Sequence, residues 1–271
     1  MKPFVKIALT ACALVAATAP VNGQMLPRQL IDMSRPAQGD RIRACVDDTS
    51  PGGPLDRAVA QAIADALFLE VEYVPALTGF PINAEGYLAE MEIHLHNDCD
   101  LFMGIAVQPS SPFPEWAAMT RPYAEVPFVL VTANPDYDSL TDIPLGSMIG
   151  TALASLGERV FITTMLQRPE SERWKRLPYA DFDLMTTRLL DGSLQGMVLW
   201  EPAWTRILAS NSEARDLRVI ALDPVPTPVV QVGALISSHD TFLRTEVDAA
   251  IEALTRDGTF DAILNELGLG D

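Results

Sequence analysis

From residue 41 onward, short apolar runs alternate with longer stripes of helical spacing. Arg41 to Val46 is the first run, and Asp47-Asp48-Thr49-Ser50-Pro51-Gly52-Gly53 is the turn that closes it. Pro54 suits a first helical position. Leu55, Val59, Ala62, Ile63, Ala66 and Leu67 then lay one apolar stripe along a helix that reaches Phe68. Leu69 to Val74 alternates apolar with acidic residues and reads as a strand. Asn83 is placed to cap a helix with Tyr87, Leu88, Met91 and Leu95 on its inner face, ending near Asn97. Asp100 to Ile105 is a further apolar run, stopping at a Gly-containing turn. Strand, helix, strand, helix, strand is the unit of a parallel sheet, and unbroken apolar runs suit strands covered on both faces.

The stretch from Cys99 to Thr132 organises the rest. After the Asp100 run comes a polar, Pro-rich loop (Gln108 to Glu115), then a long apolar strand, Val126 to Thr132, read as a crossing into a second lobe. There the logic repeats. Met148 to Leu153 is a strand; Ser155, Leu156 and Gly157 start a helix with Glu158 in its first turn; Arg176 to Ala180 is a strand. Asp181 or Asp183 caps a helix through Leu190, Gly196 to Trp200 is a strand, and a helix runs from Pro202 to about Ala209. Leu217 to Leu222 is a further strand, and Val230 to Ile236 is the return crossing. The tail is a helix pair, one begun at Asp240 or Thr241 and ended by Gly258, the other capped by Thr259. The expected fold is α/β with two lobes, each a mostly parallel sheet flanked by helices, and the crossing strands as hinge. Residues 40–130 with 236–271 form one lobe and 131–235 the other. Loops at the carboxyl ends of parallel strands are where such folds place ligands, so the site is expected in the cleft.

Charge narrows the partners. The formal net charge is −17, which disfavours nucleic acid and anionic membrane surfaces, since phosphate binding needs a clustered Lys/Arg face. The N-terminus reads as a secretory signal over residues 1–23: Lys2 and Lys6 precede the apolar stretch Ile7 to Ala19, too short to span a bilayer, and Val21-Asn22-Gly23 offers a cleavable site. The expected location is the periplasm, with no membrane insertion of the mature chain. Leu9-Thr10-Ala11-Cys12 resembles a lipoprotein cleavage site, but so few residues separate it from Lys6 that Cys12 is read as discarded with the signal. That leaves Cys45 and Cys99, both at or beside strands of the first lobe. An even number in an exported chain favours a disulfide over a free thiol or metal ligand. Such a bridge closes a loop worth ~4 kcal/mol in the chain-entropy model.

Two βαβ lobes, two crossings and a C-terminal helix pair resemble a periplasmic solute-binding protein of the amino-acid-binding (family 3) type, the type II class. The tail Arg256-Asp257-Gly258-Thr259-Phe260-Asp261-Ala262-Ile263-Leu264 is similar to that family's ending, as is Thr120-Arg121-Pro122-Tyr123 before the crossing. Three places look like the narrower J-type subgroup associated with quinoprotein (methanol) dehydrogenases. They are Cys45, the run Cys99-Asp100-Leu101-Phe102-Met103-Gly104, and Trp200-Glu201-Pro202. The chain departs from that subgroup at Asp47-Asp48-Thr49-Ser50, where Asp-Pro-x-Asn is usual, and at Glu201, where Gly is usual. The resemblance implies a binding protein, not an enzyme, with an ABC permease or a periplasmic quinoprotein dehydrogenase as partner. A cyclic-acid dehydratase on the same fold is a third reading.

An amino-acid binder needs a cation for the α-carboxylate, most often Arg. The family places it after the third strand, but Ala106 to Glu115 holds neither Arg nor Lys. This argues against an ordinary α-amino acid and against the dehydratase. The nearest cation, Arg121, is a ligand candidate or a cap for the crossing strand. The cleft loops offer Asp47, Asp48, Thr49 and Ser50; Gln108 and Trp116; Ser155 and Gly157 at a helix start; and Trp200 with Glu201. Together they point to a neutral or cationic polar ligand stacked on a ring. Each also has a structural alternative: the aspartates as helix caps, Trp116 packed on its loop, Trp200 in the core. His94 and His96 lie two apart on a helix, facing different ways, and read with Asp98 as surface residues rather than a metal set. No metal or cofactor motif, phosphate loop or nucleophile elbow is present.

Overall fold

The computed structural model describes residues 39–76, 84–107 and 114–270. The export signal, the Asn83 cap and Gln108 lie outside the described residues. The first half runs β1 (Arg41–Val46), α1 (Gly53–Ala66), β2 (Glu70–Pro75), α2 (Ala84–Asn97), β3 (Leu101–Val107), β4 (Ala117–Met119) and β5 (Ala124–Thr132). The second runs β6 (Met148–Ala152), α3 (Leu156–Leu166), β7 (Lys175–Tyr179), α4 (Phe182–Leu190), β8 (Gly196–Trp200), α5 (Glu201–Ser210) and β9 (Arg218–Ile220). The chain closes with β10 (Val229–Ser237), α6 (Thr241–Arg256) and α7 (Thr259–Glu266).

The strand order is β2-β1-β3-β10-β5-β8-β6-β7, with β4 beside β10 and β9 beside β5. It is the same motif twice. In each half the first strand lies between the second and third, all parallel, and an antiparallel crossing strand covers the third strand's other edge. The crossing strands pair with each other over four positions, from Val229 with Pro127 to Val232 with Ala124. Beyond Pro127, β5 changes partner: Phe128 to Val131 lie against β8. Proline has no N–H to give the ladder, and the adjoining Phe128 N–H donates to the Pro228 carbonyl at 2.8 Å.

Apolar faces follow the sequence pattern. Leu55, Val59 and Ile63 of α1 pack on Ile42, Ala44 and Val46 of β1 and against Val247 and Ile251 of α6. On the sheet's other face, α2 places Met91 and Leu95 over Cys45, Cys99 and Phe102. Cys45 and Cys99 form the expected disulfide, with Cα atoms 5.6 Å apart and a sequence separation of 54. In the second half Met185, Leu189 and Trp204 fill one face, and Phe161, Ile149 and Trp174 the other.

Boundaries differ where side chains or turns decide them. Ser155, Asp181 and Asp240 cap α3, α4 and α6 through their side chains. The cap of α7 is Gly258 at φ +82°, not Thr259, whose N–H and hydroxyl are both held by the Asp257 carboxylate. Helix α1 stops at Ala66 because Phe68 turns to φ +57° and the Leu69 N–H reaches back to the Ala64 carbonyl, sending the chain into β2. Gly104 does not end β3; the strand runs on to Val107 through it at φ +78°. Strand β4 falls between the Gln108–Glu115 loop and the crossing strand, where the sequence predicts no element, its register set by β10.

Candidate functional site

A cavity of 680 Å³ opens between the halves, within the range of small-molecule sites. One wall is the β1–α1 loop, at Ser50 and Pro51, with Gly104 and Ala106 of β3. The floor is the crossing pair, through Phe128, Val230 and Val232. The far wall is the β6–α3 turn and first turns of α3, with Phe182 and Trp200.

Two buried carboxylates stand behind these walls, at corresponding places. Each lies in the first turns of the helix after its half's central strand. Asp56 on α1 accepts from the Tyr123 hydroxyl at 2.6 Å, and that oxygen in turn accepts the Gly104 N–H at 3.0 Å. Burial pushes its pKa up to about 7, against the pull of the Tyr123 bond and with help from the Asp47 charge. Gly104 is required here, since a Cβ would come within 2.5 Å of Asp56 Oδ2 and the φ is positive. Glu158 on α3 accepts from the Thr151 hydroxyl at 3.0 Å, the Ala154 N–H at 2.7 Å and the Arg176 guanidinium. Burial pushes this carboxyl up as well, but the Ala154, Thr151 and Arg176 donors outweigh it and hold the pKa below its ordinary value. Ala154 adopts φ +60° to aim its N–H at Glu158.

The candidates from the sequence divide sharply. Ser50, Ser155 and Trp200 line the cavity. Trp200 is wedged between halves: its Nε1–H donates to the Val126 carbonyl at 3.3 Å, and a Cβ on Gly52 would lie 3.0 Å from its ring. Gly157 is buried under Phe128, leaving no room there for a side chain. Asp47 folds its own loop by accepting the Thr49 N–H and hydroxyl. Asp48 makes a bidentate pair with Arg57, which lies over the Tyr73 ring. The Thr49 carbonyl accepts from Arg206 of α5 at 2.8 Å. Trp116 packs on the core beneath α2. Arg121 is bound to α6, its N–H by Asp248 and its guanidinium by Glu252. Glu201 is buried and accepts the Gly270 N–H at 3.1 Å. His94 pairs with Asp98 and His96 with the Glu92 carbonyl, both half-buried rather than on the surface. Among the described residues no cluster of three or more His, Cys, Asp or Glu could hold a metal.

Sequence reasoning missed Phe128, Phe182 and Arg159, all of which line the cavity. Phe128 looks like any core residue of a crossing strand. Arg159 lies one turn into an amphipathic helix, where a cation ordinarily marks a solvated face.

No family model matches the sequence, and no curated protein matches it. Solved structures do match over most of its length. The second substrate-binding domain of a putative amino acid ABC transporter from Streptococcus pneumoniae Canada MDR_19A superposes with a TM-score of 0.63 at 16% identity. The match covers 84% of this chain and 99% of that one. Substrate-binding domain 2 of GlnP from Lactococcus lactis, in an open conformation, gives 0.63 at 14% identity over 86% and 97%. A reconstructed ancestral amino acid-binding protein, AncCDT-1, described as a precursor of cyclohexadienyl dehydratase, gives 0.55 at 17% over 84% and 96%. The fold is that of a two-lobe periplasmic binding protein. In this fold the cavity lies between the two halves, beside the paired crossing strands.

Proposed function

We propose that this chain is an exported solute-binding protein. Its lobes, residues 40–130 with 236–271 and residues 131–235, close on one small molecule and present the closed form to an ABC permease. The observation that carries this reading is the 680 Å³ cavity, walled by both halves and floored by both crossing strands. A ligand touching both walls binds the closed state better than the open one and shifts the population toward it. Export is supported by the basic-then-apolar N-terminus and by the Cys45–Cys99 disulfide, a bond of oxidising compartments. Among the described residues no helix is long and apolar enough to cross a membrane. Ser50, Ser155 and Trp200 are the proposed contacts among those expected from sequence.

The reading disfavours ordinary α-amino acids. The one carboxylate among the described lining residues, Glu158, is already held by three donors, so an ammonium finds no free acid. A thermal-shift screen combined with small-angle scattering tests both points. A cleft ligand at a hundred times its Kd adds about 2.7 kcal/mol of stability, and closure lowers the radius of gyration. Strong shifts with common α-amino acids would refute the case against them. Ligands that bind without compaction would refute the closing mechanism.

A second reading, an accessory protein of a periplasmic quinoprotein alcohol dehydrogenase, is supported by the motif resemblance. Its cysteines are bonded to each other, and its Gly104 and Trp200 face one cavity. Co-elution with a purified quinoprotein dehydrogenase, in the absence of any permease interaction, would favour it.

A further inference from the structure

The cleft does not share the acidity of the chain. The protein carries −17 overall, yet the only charged residues among those described as lining the cavity are Glu158 and Arg159. Glu158 is neutralised by Arg176 and two further donors. Arg159 is exposed and makes no ion pair or side-chain hydrogen bond among the described residues. It lies in the first turns of α3, where the helix dipole disfavours a cation. The remaining lining is mostly apolar, including Phe128, Phe182, Trp200 and Ile162.

We propose that the ligand is an organic monoanion with an apolar body, a hydrophobic carboxylate whose oxygens are held by Arg159 while its hydrocarbon lies among Phe128, Phe182 and Trp200. This rests on the binding-protein reading and assigns the ligand class of the same cleft. The planar guanidinium matches a carboxylate in two parallel hydrogen bonds. A single uncompensated cation selects one negative charge, and the lack of a free acid rejects zwitterions and amines. The aspartates that pointed to a cationic ligand are spent on their own loop and on Arg57.

The test is titration calorimetry of the full mature chain with four probes of one size: 3-phenylpropionate, 3-phenylpropanamide, 2-phenylethylamine and L-phenylalanine. Small-angle scattering follows closure, and circular dichroism checks every variant's fold. The acid binds most tightly. Arg159→Gln weakens it roughly tenfold to a hundredfold and leaves the amide unchanged, while Arg159→Lys restores part of the loss. Equal affinity for acid and amide, or no effect of Arg159→Gln on the acid, overturns the proposal. Compaction with the amine or the amino acid in preference to the acid overturns the ligand class and leaves the binding-protein reading standing. No binding and no compaction with any of the four overturns the ligand class, and the same silence across the broad screen overturns that reading too.

Discussion

Asp56 and Glu158 occupy equivalent places in the two halves, and their pKa values are shifted in opposite directions. Both are buried carboxyls near the start of the helix that follows a central strand, each behind one wall of the cleft. Desolvation raises both. Asp56 has one short hydroxyl donor and is pushed to about 7. Glu158 has a backbone N–H, a hydroxyl and a guanidinium, and stays below its ordinary value. Burial therefore does not set the charge of a carboxyl; the donors aimed at it do. The first half lifts the pKa of its acid and needs a glycine beside it. The second invests an arginine and a strained alanine to keep its acid ionised.

The sharpest way to break this contrast is pH. The folded pKa of Asp56 lies above its unfolded value of 3.8, so between about pH 4 and 7 the folded state binds the extra proton. Its contribution to stability is full below that window and falls as pH rises through it, by at most about 4 kcal/mol. Glu158 has the opposite sign: its contribution is present above its ordinary value of 4.5 and is lost as pH drops through its lowered folded value. Asp56→Asn should remove the neutral-side decline, read as the difference between variant and wild-type urea curves at several pH values. Identical pH slopes would contradict it.

Gly104→Ala comes next. A Cβ would meet the Asp56 carboxyl and force a methyl into a positive φ, costing about 3 kcal/mol by denaturant midpoint. A cost below about 1 kcal/mol, the ordinary span of a surface change, would show that the first half is looser than described. Arg176→Met removes one of Glu158's donors and should cost about 1–3 kcal/mol. It should also raise the Glu158 pKa in a carboxyl NMR titration, making the two acids more alike. An unmoved titration would show that the Thr151 and Ala154 donors suffice alone. The smallest effect is Ala154→Gly, which relieves the φ of +60° and should gain about 0.5 kcal/mol. A loss would mean that the turn is held by its methyl group, not strained by it.

The fold was largely readable because its signals are local. Apolar runs flanked by turn residues gave β1, β6 and β8, and helix starts were legible near Ser155, at Asp181 or Asp183 and at Asp240 or Thr241, of which the structure uses Ser155, Asp181 and Asp240 as caps. The disulfide needed only two cysteines and two neighbouring strands. The site was less readable, because it depends on what each polar group does after folding. Asp47 and Asp48 look like ligand residues until their partners Thr49 and Arg57 are seen. Glu201 looks like a cleft acid until Gly270 docks on it. Arg159 looks like a surface cation until its wall faces another. Whether a charge is free or satisfied depends on side-chain contacts, near ones such as Thr49 on Asp47 and distant ones such as Gly270 on Glu201, that residue types and spacing do not reveal.

The partner exchange on β5 at Pro127 has a mechanical consequence. One side of that residue is zipped to β10 and the other to β8, and the proline itself has no amide hydrogen to lose. Under the proposed closure, a swing of the jaws about this point would twist the ribbon at a residue that gives the ladder no N–H. On that proposal the bound molecule, rather than this stretch of backbone, would choose between gape and clench.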